Sequence, residues 1–242
     1  MSVITQPSLQ ALPARDLRTA SRWFAAVLMS VGPLAVAVLR FAMPYNTTDS
    51  VPTTVAKIAT HPSSEGLVLW LSLIATLTLV PGALAAIKLS SRGAPILSAT
   101  AALLIVPAYL SLYAVGLVDY IGMSVSAHTV DAAAVARIAE YVNQLPTTTI
   151  PTNIFVVGHV FGSIVLAVAL WRSRRVQLVG CLVLGVSQPI HFAAAVTGNH
   201  VLDLVGWTMT AVGMAFAALA VIALPDDEWS LPPTTPVTRT TR

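Results

Sequence analysis

Residues 152–171 read TNIFVVGHVFGSIVLAVALW, 20 residues without one Asp, Glu, Lys or Arg, followed at once by Arg172, Arg174 and Arg175. A helix on the surface of a soluble domain would show a polar face at 3.6-residue spacing, and this stretch has none. Twenty helical residues rise about 30 Å, the thickness of a bilayer's hydrocarbon core. The stretch therefore reads as a membrane span ending in a basic loop.

Five more apolar stretches of similar length lie near 22–43, 66–88, 95–118, 176–197 and 202–224. The whole chain is 56% hydrophobic and 10% charged with a mean hydropathy of +0.79. Soluble domains run near a quarter charged, so these charges cannot cover a globule in water. The expected class is all-α, a polytopic transmembrane bundle of six spans over 21–224. Tails at 1–20 and 225–242, rich in Pro, Thr, Ser and Arg, are expected to be disordered. The first stretch resembles a signal-peptide core, but its long leader and weak cleavage signal favour a retained span. Prolines 33, 81, 107 and 189 fall inside spans, where neighbouring helices can satisfy the carbonyls they free.

Basic residues set the orientation. Arg15, Arg18 and Arg22 precede span one, Lys88 and Arg92 separate spans two and three, and the 172–175 arginines separate spans four and five. The positive-inside rule puts these segments, and hence both termini, in the cytoplasm. The lipid bilayer is the main expected partner, with a homo-oligomer or membrane-protein partner open. The small basic excess is a topology signal and gives no nucleic-acid footprint.

Two outward loops hold short amphipathic helices. In 49–60, Asp49 or Ser50 caps a helix with Pro52 in its first turn, and Val51, Val55, Ile58 and Ala59 share a face. In 129–145, Val130, Ala134, Ile138, Tyr141, Val142 and Leu145 recur at helical spacing and are expected to form the apolar face. Such helices lie on the membrane, cap the bundle or act as a lid. Val55-Ala56-Lys57-Ile58-Ala59 is echoed by Val135-Ala136-Arg137-Ile138-Ala139, and Arg40-Phe41 by Asp119-Tyr120. If the echo marks a duplicated hairpin, Asp119 is the expected partner of Arg40; otherwise Arg40 snorkels or meets another outer acid.

No phosphate loop, dinucleotide fingerprint, HExxH pair or Gly-x-Ser-x-Gly elbow is present. The one cysteine, Cys181, allows no intrachain disulfide. Of the five histidines, His61 and His128 border the outer helices, while His159 and His191 lie inside spans four and five. Polar groups within spans usually face the bundle interior. Those two fall within about one helical turn of each other in depth, on adjacent antiparallel spans. Thr152, His159 and Ser163 share a face of span four beside the small pair Gly158 and Gly162. Ser187 and His191 share a face of span five, with Gln188-Pro189 just before the histidine. Asp119, His159, His191, His200 and Asp203 are expected to converge on an outward-opening cavity, with Ser163, Ser187 and Gln188 lining it. Interhelical hydrogen bonding, a ligand cavity, and metal or haem ligation by His159 and His191 all fit these two positions.

Three stretches together resemble uncharacterised actinobacterial integral membrane proteins. They are Ile58-Ala59-Thr60-His61-Pro62, then Gly158-His159 with Ala169-Leu170-Trp171-Arg172, and Gln188-Pro189-Ile190-His191. The resemblance implies a multi-pass plasma-membrane protein with no established activity, cofactor or catalytic residue. Three functional classes follow. The first is a non-enzymatic bundle binding a small hydrophobic ligand or a partner from its outer half. The others are a metal- or haem-binding redox protein on His159 and His191, and a small solute transporter.

Overall fold

The computed structural model describes residues 16–128 and 130–230, leaving out the side chains of 126–128. Among them it is entirely helical, in the order α1 (Arg18–Ala42), α2 (Val51–Thr60), α3 (Pro62–Ser91), α4 (Pro95–Leu110), α5 (Leu112–Val115), α6 (Leu117–His128), α7 (Ala132–Gln144), α8 (Pro146–Arg172), α9 (Leu178–Thr197), α10 (His200–Ala223) and α11 (Asp226–Trp229). Five helices, α1, α3, α8, α9 and α10, are long and apolar enough to cross a membrane. A sixth such length is broken: α4 and the segment from Leu112 meet at a 40° bend. Pro107 in the last turn of α4 removes a donor from the helical ladder, and the chain turns at Ser111. Prolines 33, 81, 151 and 189 lie inside helices that continue past them.

The long helices close a ring in chain order, each packed on the next and α10 on α1, with α3 and α8 also touching across it. Their apolar side chains face outward as much as inward: Phe24, Trp70, Leu77, Leu103 and Leu219 are all exposed. In water such a surface would aggregate; in hydrocarbon it is the expected exterior. With no hydrophobic gain from helix contact in lipid, close approach must come from small residues. A Cβ on Gly158 would stand 2.5 Å from the Leu104 carbonyl oxygen, and one on Gly162 2.5 Å from Ile105 Cγ1. The small pair on span four is thus where α8 and α4 approach most closely.

At one end α2, α6 and α7 pack into a cap with its own small core of Val55, Val135, Ala136 and Ala139. Ser50 caps α2 by accepting from the Thr53 amide, and Asp131 caps α7 by accepting from the Ala133 amide. Asp49 instead accepts from Lys57 Nζ at 2.6 Å, which holds its carboxyl below the usual carboxylate range. The face of α7 is reversed from the sequence expectation. Val135, Ala136 and Ala139 are buried, while Ile138 is 56% exposed and Tyr141 68%. Small side chains let α7 lie close to α2 and α6, and the bulky apolar ones turn away from them.

The other end is basic. Where the sequence reading starts a disordered tail at 225, Asp226–Trp229 forms α11 with Trp229 buried. Its acids face Arg18, Arg22 and Arg175, and Lys88 Nζ lies 4.0 Å above the Trp229 ring. The rest of that tail, 231–242, and residues 1–15 of the N-terminal tail lie outside the described residues. Gly158→Ala is expected to lower the unfolding temperature in detergent, with an overpacking cost of roughly 1–3 kcal/mol. Gly66→Ala, whose added methyl meets nothing within 4 Å, is expected to leave that temperature unchanged or raise it.

Candidate functional site

Inside the capped half of the ring lies a cavity of about 360 Å³. All the long helices contribute to its wall, which is mostly apolar, with Arg40, Tyr45, Asp119, His159 and His191 among its polar groups.

His159 stands midway along α8 and is 1% exposed. Its ring is stacked against Phe155 at 4.4 Å and Trp207 at 5.7 Å, and lies 5.3 Å from the His191 ring, centroid to centroid. Nδ1 donates to the Phe155 carbonyl oxygen at 2.5 Å. A carbonyl only accepts, so Nδ1 carries the proton, and in the neutral ring Nε2 is a bare acceptor. That Nε2 is buried and has no partner. An unmade hydrogen bond of this kind costs about 1–3 kcal/mol.

His191 is anchored more strongly. Its Nδ1 lies 2.5 Å from Asp203 Oδ1, and Asp203 Oδ2 accepts from Arg40 Nε at 2.6 Å. Paired with the guanidinium, Asp203 is a carboxylate, so Nδ1 of His191 is the donor toward it. The Trp207 indole nitrogen lies 3.0 Å from the same atom and packs edge-on to the imidazole. The backbone of α9 at His191 is pressed against Gly206, where a Cβ would stand 2.8 Å from the His191 amide nitrogen. Beneath this layer, Gln188 Nε2 donates to Thr210 Oγ1, which donates to Ser187 Oγ, a polar contact between α9 and α10 that leaves Gln188 Oε1 buried without a partner.

The expected convergence is met in part. Asp119, His159 and His191 line the cavity; Asp203 lies behind the wall and reaches it through Arg40 and His191. His200 begins α10, half-buried and off the cavity lining. Ser187 and Gln188 lie in the network below and off the cavity lining, and Ser163 borders a separate crevice of about 10 Å³ beside Tyr109. Arg40 pairs with Asp203 of the neighbouring α10 and not with Asp119, which accepts from the Tyr45 hydroxyl. Burial, and then the Asp119 carboxylate, push the Tyr45 hydroxyl above its ordinary pKa.

Sequence reasoning missed Tyr45 and Phe155, which carry no pattern of their own, and Glu65. Glu65 is fully buried in the first turn of α3, and neither carboxyl oxygen has a partner. Pro62 at the helix start was the available sign that span two begins before 66.

Two imidazoles with Nδ1 tied to a carbonyl and a carboxylate resemble the way proteins hold metal-binding histidines. Yet no group of three His, Cys, Asp or Glu suited to a metal occurs among the described residues. A haem would have to meet a His159 ring already stacked on Phe155 and Trp207. Comparison with known protein families, curated proteins and solved structures gave no match, so the resemblance of the three sequence stretches stands on those residues alone.

Removing one partner from a buried ion pair strands the other. Arg40→Met is therefore expected to cost about 3–5 kcal/mol, and adding Asp203→Asn to recover part of it. Thermal unfolding of both single variants and the double variant checks this; a loss under about 1 kcal/mol for Arg40→Met would mark the pair as solvated.

Proposed function

We propose that the protein is a six-span plasma-membrane protein, both ends cytoplasmic, that binds a small, largely apolar molecule carrying a hydroxyl group in its outward half. The single observation that carries this reading is the buried, partnerless Nε2 of His159, a residue that lines a mostly apolar cavity. A volume of about 360 Å³ falls in the ordinary range for small-molecule sites, roughly 300–1,000 Å³. Two donors beside it are engaged, the Tyr45 hydroxyl with Asp119 and the Arg40 Nε with Asp203. The buried position left empty on His159 is an acceptor, and it asks for a donor on the ligand.

The orientation draws on the gathering of Arg18, Arg22, Lys88, Arg92 and Arg175 at the end opposite the cap. The cap then lies outside, with Ile138 and Tyr141 of α7 at headgroup level.

Native mass spectrometry of protein taken gently from membranes tests the reading. Wild type is expected to carry an organic-extractable small molecule, and His159→Leu, folded by its melting temperature, to carry at least about tenfold less, the effect of a bond worth 1.4 kcal/mol. Equal occupancy in the two proteins, or none in either, would overturn it. The tethered pair of imidazoles favours a second reading, a metal ion between His159 and His191. Stoichiometric metal by elemental analysis, lost in both His159→Ala and His191→Ala, would establish that reading instead.

A further inference from the structure

The wall of the cavity is not equally tight all round. α3 packs along α4 and, nearer the cap, on α6, but the α5 turn between them leans on α8. The break at Ser111–Gly116 therefore pulls one turn of helix away from α3 and leaves a seam. Three cavity-lining side chains at this seam, Leu73 and Thr76 of α3 and Tyr113 of α5, are exposed. The cavity thus reaches the flank of the protein there.

The depth of the seam decides what can use it. At 1.5 Å per residue, Leu73 and Thr76 lie about 16 and 21 Å from the start of α3, a helix of 30 residues. That is near the middle of the span, where the surroundings are hydrocarbon and not headgroups or water. A molecule entering at that depth must be soluble in lipid. A charged donor such as an ammonium is heavily penalised there, whereas a neutral hydroxyl is not.

Building on the binding reading above, we infer that the cavity is filled from the side, through the seam between α3 and α5, by a bilayer-dissolved alcohol or phenol. Its hydroxyl donates to Nε2 of His159, and its apolar body runs out past Leu73, Thr76 and Tyr113 toward the acyl chains. The helix break in α4–α6 is then the feature that makes the site accessible. The proline, serine and glycine at 107, 111 and 116 serve access as well as chain direction.

The test uses full-length protein in lipid vesicles and hexadecanol bearing a mid-chain diazirine, delivered from probe-loaded vesicles and photolysed at successive times. Labelling is read peptide by peptide by mass spectrometry. Wild type is expected to label on the α8 and α10 peptides around Phe155 and Trp207. Thr76→Trp, which crowds the seam, is expected to slow that labelling roughly tenfold while reaching the same plateau, the plateau also reporting that the variant is folded. Thr47→Trp, at an exposed lining position in the loop between α1 and α2, is expected to leave the rate unchanged. Slowing by Thr47→Trp but not by Thr76→Trp would place entry on the aqueous side and overturn lateral access while leaving binding intact. Cavity labelling at one rate in all three proteins would also overturn it. No labelling of the α8 and α10 peptides in wild type would remove the binding reading itself, and this inference with it.

Discussion

The Asp203 carboxylate is held between the Arg40 guanidinium of α1 and the His191 imidazole of α9. A carboxylate this deeply buried is tolerated only if paired and hydrogen-bonded on its available oxygens, and here each oxygen has its own partner. The arrangement joins three consecutive members of the ring, α9, α10 and α1, at one depth. It also fixes which nitrogen of His191 carries the proton. The cavity begins directly beside this triad, so the strongest electrostatic contact in the bundle doubles as one wall of the site.

His159 is treated differently. Its ring is stacked against Phe155 and Trp207, and its single hydrogen bond runs back to its own helix. The glycine contacts of α8 with α4 and of α10 with α9 hold these helices close enough for the rings to stack. Packing is thus used to position a group whose hydrogen bonding is left incomplete. In a core selected only for stability, an apolar side chain of similar shape would fill that place without an unsatisfied atom. The exception gathers with the cavity and the polar triad, and that conjunction supports a binding role over a purely structural one.

Much of this was legible in the sequence, for identifiable reasons. Long charge-free runs marked the long helices, because hydrocarbon tolerates little else. The depth arithmetic for His159 and His191 brought the two rings together, since helical rise is constant and the connecting loop is short. The pairing of Arg40 was not legible. An echo between 40–41 and 119–120 pointed to Asp119, but partners across a closed ring depend on which helices become neighbours, and α1 closes the ring against α10. The face of α7 was misread for a related reason: hydrophobic periodicity finds the bulky apolar side, which in a membrane need not be the packed side. Ala136 and Ala139 were the better sign, since small residues allow helices to touch. Glu65 was hidden because a span boundary drawn by hydropathy stops short of a polar first turn.

The central claim is that His159, a residue of the cavity wall, carries a bare acceptor nitrogen, and the most direct measurement is solid-state ¹⁵N NMR of the histidine rings in lipid-reconstituted protein. His159→Gln serves to assign the resonances. The account predicts a neutral His159 protonated on Nδ1, with an unprotonated Nε2 resonance that moves when a hydroxyl-bearing ligand is added. A ring protonated on Nε2, or an imidazolium, would contradict it, because the cavity would then offer a donor and the ligand chemistry proposed here would be of the wrong kind.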